Sequence, residues 1–303
     1  MYTEWNAEEA ARFSDTLRGG AEAIGVPLTD LQVDACLTYS RLLLATNAHT
    51  NLTRITDPEE VAIKHFVDSL TVLWRGEKDG PLTPAGGGIS LAPQRVGAGG
   101  ASGRITLCDV GTGAGFPGIV LKIVRPNLHV TLLDSLAKRL TFLGQVVAEL
   151  ELKNVRLVHS RAEDAGRNPA LRDRFHVVTA RAVASLPTLL EWCGPLVTVG
   201  GHFVAMKAAG AEEELATSAN AAEALQLRLV ERVGLELPVL KGGEKRGPLA
   251  PINGGTSGIA FSPAPPFTGA GGALSRHLLL YEKTNPTPKL YPRLPAEIKK
   301  RPL

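Results

Sequence analysis

The chain has 303 residues, of which 44% are apolar and only 5% aromatic, so it can bury a large core made chiefly of Leu, Val, Ala and Ile. A formal charge of +3 and a pI near 8.8 permit an RNA partner without demanding one. Three widely spaced cysteines, Cys36, Cys108 and Cys193, with no Cys-x-x-Cys pair, argue against a disulfide framework or a zinc site.

The opening residues carry Glu4, Glu8 and Glu9 and lack the basic start and apolar run of an export signal; no later apolar run reaches membrane-spanning length. The expectation is a cytoplasmic monomer with no membrane association and no metal. Thr29 followed by Gln32 resembles a capping box, opening a helix that carries Leu31, Cys36, Leu37, Leu42 and Leu44. Asp57-Pro58-Glu59-Glu60 is a sharper start signal: an acid to cap, proline at the first helical position and Glu at the third. Ile63, Phe66, Val67, Leu70 and Leu73 then recur at helical spacing. These signals predict helices over 7–19, 29–46 and 58–75.

Residues 76–104 and 241–275 are rich in Gly and Pro and poor in large apolar side chains. They cannot bury enough surface to offset their ordering entropy, and read as flexible insertions that could act as a lid or an RNA contact. Between them lie short β-prone runs at 105–110, 129–134, 155–159, 175–180 and 202–207, mostly separated by helical stretches at 117–124, 136–150 and 185–192. Such alternation means a parallel sheet with right-handed crossovers. Two further strands, 230–237 and 277–283, have no helical pattern between them and suggest an antiparallel pair at one edge. The chain thus divides into an N-terminal helical region (1–75), an insertion (76–104), an α/β core (105–240), a second insertion (241–275) and a last core strand with a basic tail (276–303).

The most informative segment is Leu107-Cys108-Asp109-Val110-Gly111-Thr112-Gly113-Ala114-Gly115-Phe116-Pro117-Gly118, a strand running into alternating glycines and then a helix. Missing Cβ atoms let backbone turn sharply and approach a ligand closely, and the helix start offers unpaired N–H groups. The second strand ends in Asp134, placed to accept hydrogen bonds from a ribose diol. Loop plus acid describes a cofactor that contains a nucleoside. Gly113-Ala114-Gly115-Phe116-Pro117-Gly118 also satisfies the dinucleotide fingerprint, so NAD stands beside S-adenosylmethionine. The spacing Gly111-x-Gly113-x-Gly115, the polar exit Ser160-Arg161-Ala162-Glu163-Asp164 after the third strand, and the antiparallel last strand favour S-adenosylmethionine.

Cations gather at the same edge. Ser135 reads as an N-cap, which puts Lys138 and Arg139 in the first turn of the next helix, against its dipole; both would then face an anion such as an RNA phosphate. Arg181 follows the fourth strand, where a cation could engage a cofactor carboxylate or RNA, or pair with an acid for structure. No Asn/Asp-Pro-Pro-aromatic loop follows that strand, which speaks against methylation of an exocyclic amine. Cys193 has apolar neighbours and Cys108 lies inside a strand, so both read as inert core thiols and not as nucleophiles for pyrimidine C5.

Taken together, Asn51-Leu52-Thr53, the run from Lys64 to Leu70, the glycine segment, Leu133-Asp134-Ser135-Leu136-Ala137-Lys138-Arg139, the run from Thr179 to Ala184, Lys207-Ala208-Ala209 with Glu212, Glu213 and Glu214, and Lys289-Leu290-Tyr291-Pro292-Arg293 resemble the glucose-inhibited division protein B family of small-subunit ribosomal RNA guanine-N7 methyltransferases. The resemblance covers roughly 28–240 and 276–303, and departs from the family at the two insertions. It implies a Rossmann-like seven-stranded S-adenosylmethionine-dependent methyltransferase sheet with an N-terminal helical extension. It further implies cofactor contacts at Gly111, Phe116, Ala162, Glu163 and Arg181, a ribose contact at Asp134, and small-subunit rRNA as partner; Gly113 and Gly115 join the cofactor-binding candidates from the loop reading above.

Guanine N7 carries an in-plane lone pair and no proton at neutral pH, so a methyltransferase acting there needs no general base, and catalysis reduces to orientation. Asn51, His65 and Arg139 are the candidates for placing the base, although a lone histidine such as His65 is more often a packed structural residue. Lys138, Arg139 and the tail cations Lys289, Arg293, Lys299, Lys300 and Arg301 are candidates for phosphate contacts. The competing readings are an NAD-dependent oxidoreductase, a non-catalytic RNA-binding protein of the same fold, and a small-molecule methyltransferase.

Overall fold

The computed structural model describes residues 5–73, 104–208, 210–237 and 274–303. The N-terminal layer holds α1 (Ala7–Ala23), α2 (Asp30–Thr50), the single turn α3 (Pro58–Val61), a π-helical turn (Ala62–Val67), α4 (Asp68–Leu70) and a 3-10 turn (Thr71–Leu73). The α/β part runs β1 (Thr106–Val110), α5 (Gly118–Val124), β2 (His129–Asp134), α6 (Ala137–Glu149), β3 (Val155–His159), α7 (Ala162–Arg167), β4 (Phe175–Arg181), α8 (Leu186–Cys193) and β5 (Val197–Lys207). It closes with α9 (Ala211–Thr217), α10 (Ala219–Ala224), β6 (Leu227–Leu237), β7 (Leu274–Lys283) and α11 (Pro295–Lys300).

The cap chemistry works as the sequence suggests. Thr29 and Gln32 form a reciprocal capping box on α2, and Asp57 accepts from Glu60 N–H at the start of α3. A second box, Asn6 with Glu9, opens α1. Helices α1 and α2 outrun their expected ends by one turn; in α1 the added turn carries the buried Gly20 and Ala21. The regular helix expected over 58–75 is instead widened by the π-turn, which sits where the layer meets the sheet edge.

The seven strands lie in the order β3-β2-β1-β4-β5-β7-β6. The first five are parallel; β7 runs antiparallel to both β5 and β6. Alternate residues along a strand serve two cores. Leu107, Val177 and Val204 face the side covered by α1 to α6, whereas Cys108, Val178 and Ala205 face α7, α8 and α10. The N-terminal helices therefore share one core with the sheet. Strand β7 begins at Leu274, so the last two residues of the expected second insertion are strand; the rest of both insertions lies outside the described residues apart from Arg104. No helix among the described residues is long and apolar enough to cross a membrane.

Candidate active site

Strand β1 delivers the chain into the glycine loop at the carboxyl edge of the sheet, where parallel α/β folds bind ligands. Gly111, Gly113 and Gly115 all have left-handed backbone, with φ of +65°, +61° and +103°. Gly111 and Thr112 N–H donate to Leu133 O at 2.8 and 3.1 Å, lashing the loop to the end of β2. Gly113 N–H donates to Asp134 Oδ2 at 2.9 Å. The glycines serve different ends. A Cβ on Gly115 would come within 2.5 Å of the Tyr39 hydroxyl and 2.7 Å of Leu143 Cδ2, so this position is closed by packing. One on Gly113 would find nothing nearer than Gly111 O at 3.9 Å, so the loop presents bare backbone to open space.

Asp109 organises the loop from beneath. It is fully buried and accepts from Thr112 Oγ1 (2.6 Å), Gly118 N–H (3.0 Å) and Thr179 Oγ1 (3.1 Å), joining β1, the loop, the start of α5 and β4. Burial raises its carboxyl to about 6, against the pull of those three donors and Arg181. The Tyr39 hydroxyl from α2 donates to Ala114 O on the far side of the loop. Neither residue was assigned a role from the sequence, though Asp109 stands within the motif itself.

Asp134 is 1% exposed and already well partnered: Oδ1 accepts from Leu136 N–H at 2.9 Å, and Arg139 Nη1 lies 3.2 Å from Oδ2. This corrects two expectations. Leu136, not Ser135, is the N-cap of α6, and its N–H is held by Asp134. Arg139 is not a free cation in the first turn of α6 but the counter-charge of Asp134, which offsets its unfavourable place on the helix dipole. Ser160 N–H donates to Asp134 O, which draws the exit of β3 alongside. There Ala162 and Glu163 are buried in the first turn of α7, and the Glu163 carboxylate takes no hydrogen bond from the described residues.

Phe116 is the hub of an aromatic cluster. Tyr39 stacks on it at 5.1 Å, His65 at 4.7 Å, Phe66 meets it edge-on at 5.3 Å, and the Arg181 guanidinium lies 5.4 Å over its ring. Within this cluster His65 is held neutral, its imidazole lowered to about 3 by burial and by Arg181. Its Nε2 bonds Thr53 Oγ1 at 2.8 Å, while buried Nδ1 has no hydrogen-bond partner among the described residues. Asn51 caps α2 in the left-handed conformation and is exposed, two residues before the Thr53 whose hydroxyl bonds His65. Arg181 donates to Lys64 O at 3.0 Å and to Asp68 Oδ2 at 2.8 Å, and Asp68 Oδ1 takes Arg276 Nε at 2.8 Å. Arg181 is thus tied to a buried acid in the N-terminal layer, a pairing the sequence left open and to which only the fold assigns Asp68.

Of the cations expected to meet phosphate, Lys138 is exposed, with Nζ 3.2 Å from Thr50 O. Arg293 is paired to an acid: it clamps buried Glu191 through Nε (2.9 Å) and Nη2 (2.6 Å), which docks the tail on α8. Lys289, Lys299, Lys300 and Arg301 are exposed. The thiols of Cys36, Cys108 and Cys193 are buried and free, with ionisation pushed up by burial, so none is a nucleophile. Among the described residues no cluster of His, Cys, Asp and Glu could hold a metal.

A family model described as rRNA small subunit methyltransferase G matches residues 98–238. The "Ribosomal RNA small subunit methyltransferase G" of Lactobacillus acidophilus is 40% identical over 279 residues, covering 91% of this chain and 93% of its own length. That of Lactobacillus helveticus is 47% identical over 214 residues (70% and 79%), and that of Alkaliphilus metalliredigens is 37% identical over 287 residues (95% and 97%). Among solved structures, M. jannaschii TYW2 in complex with AdoMet matches 59% of this chain and 69% of its own at 13% identity with a TM-score of 0.40, a likeness too slight to carry an argument. With the glycine loop and Asp134 joined at one sheet edge and relatives this similar over nearly their whole length, the chain belongs to the ribosomal RNA small subunit methyltransferase G family.

Proposed function

We propose that this protein transfers the methyl group of S-adenosylmethionine to N7 of a guanine in small-subunit (16S) ribosomal RNA, as a cytoplasmic monomer. The observation that carries the reading is the 2.9 Å bond between Gly113 N–H and the Asp134 carboxylate, in a chain of this family. The residues fit the cofactor. Bare backbone at Gly113 faces open space, Asp134 offers a buried carboxylate to the ribose, and Glu163 at the head of α7, with no hydrogen-bond partner among the described residues, is the acid for the adenine side. Gly111, Gly115 and Phe116 shape the floor, Ala162 the adenine wall, and Arg181 the carboxylate end. The division into helical region (1–75), methyltransferase core (105–240) and returning strand with tail (276–303) is part of the reading.

S-adenosylmethionine, when bound, supplies a methyl group already activated by its sulfonium. The chain's own work is then orientation. Guanine N7 offers a lone pair without losing a proton, and His65, neutral at physiological pH, has no acid or base task. Asn51 and His65 would steady the base, and Arg139 would keep the Asp134 side of the pocket from carrying net charge. A base presented this way must be unstacked, which favours a single-stranded loop as target. Lys138 and the exposed Lys289, Lys299, Lys300 and Arg301 are the cations left to meet phosphates.

The test combines calorimetry with S-adenosylmethionine and with NAD, and labelled methyl transfer to small-subunit ribosomal RNA followed by mapping of N7-methylguanine. Uptake of the first ligand and one methylated guanine are expected. Uptake of NAD alone, or cofactor binding without methyl transfer to the RNA, would overturn the proposal.

A further inference from the structure

The loop that leaves β4 packs against the glycine loop, and it is held from outside. Ala182 has left-handed backbone (φ +54°), and Val183 lies on the glycine loop so closely that a Cβ at Gly111 would come within 2.7 Å of it. Residues 182, 183 and 185 are exposed, so apolar burial does little to fix them. The helix that follows also lacks its own cap. Ser185, at the N-cap of α8, makes no capping bond; its hydroxyl pairs with Thr188 Oγ1 at 3.1 Å. The first N–H groups of a helix need acceptors. Leu186 N–H finds one in Glu214 Oε2 at 2.5 Å, brought in by α9. Lys207, at the end of β5, places Nζ 2.7 Å from the same oxygen and donates to Ala184 O at 3.0 Å.

We infer that Lys207 and Glu214 form a positioning clamp that sets the height of the 182–186 loop above Gly111, and with it the space in which the target guanine meets the methyl group. The inference rests on the methyltransferase reading. The clamp grips the loop at Ala184 O and at Leu186 N–H, two residues apart, with a charged partner at each point. Helix α8 itself does not depend on it, because Leu186, Leu189, Leu190 and Cys193 are fully buried in the core. Lys207 and Glu214 are thus positioning residues that need not touch either substrate, and the fold brings them together across the intervening turn at Gly210, itself in left-handed backbone.

The experiment uses the full chain as wild type, Glu214→Ala, Glu214→Gln, Lys207→Met and the double variant. Backbone hydrogen exchange reads the clamp directly: in Glu214→Ala the Leu186 amide exchanges faster while amides in the interior of α8 stay protected. Methyl transfer to small-subunit ribosomal RNA reads the consequence: kcat falls roughly 10–100-fold, the scale of a small misplacement of reacting groups, while S-adenosylmethionine affinity is unchanged. Glu214→Gln, which keeps an acceptor for Leu186 N–H, recovers part of the rate, and the double variant is no slower than Glu214→Ala. Unchanged Leu186 protection overturns the clamp. Faster exchange with full kcat overturns its positioning role, and a double variant far slower than Glu214→Ala overturns it by making Lys207 an RNA contact. A wild-type protein that methylates no RNA counts against the methyltransferase reading, and the exchange measurement still decides the clamp.

Discussion

Gly115→Ala probes the packing that holds the glycine loop. Two costs add at this position. Its φ of +103° is one that a residue with a side chain adopts at a penalty of roughly 1–2 kcal/mol. The new methyl would meet the Tyr39 hydroxyl at 2.5 Å, Leu143 Cδ2 at 2.7 Å and Ile119 Cγ1 at 2.9 Å, an overpacking worth about 1–3 kcal/mol. The sum, about 2–5 kcal/mol, is a large share of the ~5–15 kcal/mol that holds a typical domain. At roughly 2–4 °C per kcal/mol the Tm should fall by about 4–20 °C. The assay is thermal and denaturant unfolding of Gly115→Ala, Tyr39→Phe and the double variant. Tyr39→Phe alone leaves Ala114 O without its donor and costs about 1–3 kcal/mol, but in the double variant it removes the nearest clashing atom. The two changes should therefore be less than additive, by about 1 kcal/mol or more. A Gly115→Ala protein that unfolds within 1 °C of wild type, or strict additivity in the double variant, would refute the reasoning, whichever cofactor binds.

Three further outcomes are expected. Asp134→Ala should weaken S-adenosylmethionine binding about 10–100-fold by calorimetry, the scale of one or two charge-assisted hydrogen bonds, and would freeze Gly113 N–H and Arg139 without their partner; unchanged affinity would remove Asp134 from the ribose site. His65 binds its proton in the unfolded chain near 6.5 but in the folded protein only near 3, so stability should be lost as pH falls from 6.5 toward 3; His65→Phe should flatten that slope in urea melts at stepped pH. Asp109 works in the opposite sense, its raised carboxyl favouring the folded state below 3.8 and less so as pH climbs through about 6, so the His65→Phe protein should show a shallow loss of stability over pH 4–6. Arg293→Ala strands fully buried Glu191 as an unpaired charge and should destabilise by about 3–5 kcal/mol with little effect on the salt dependence of RNA binding; a reduced salt slope would restore Arg293 as a phosphate contact.

Much of the site was legible because its signals are local. Alternating glycines between a strand and a helix read as a tight loop, and once β2 pairs beside β1, as consecutive strands usually do, the acid that ends it lies one strand spacing from the loop, where Gly113 and Asp134 meet. The charged residues were read less well. Arg139 and Arg293 looked like free cations because their partners, Asp134 five positions away and Glu191 across the chain, become neighbours only after folding. Ser135 has the composition of a cap, but the competing acceptor at Asp134 already holds Leu136 N–H.

Chain periodicity and turn chemistry by themselves determined the α/β class, the strand–helix alternation, the antiparallel closing pair and the location of the glycine loop, since backbone geometry ties each to residues a few positions apart. The tertiary structure alone decided which charges are paired, that Phe116 sits among Tyr39, His65, Phe66 and Arg181, and that Asp68 and Glu214 reach the sheet edge from other layers. The physical reason is one of range: hydrogen-bonded turns are written in neighbouring residues, whereas an ion pair or an aromatic stack depends on which distant surfaces the hydrophobic core presses together.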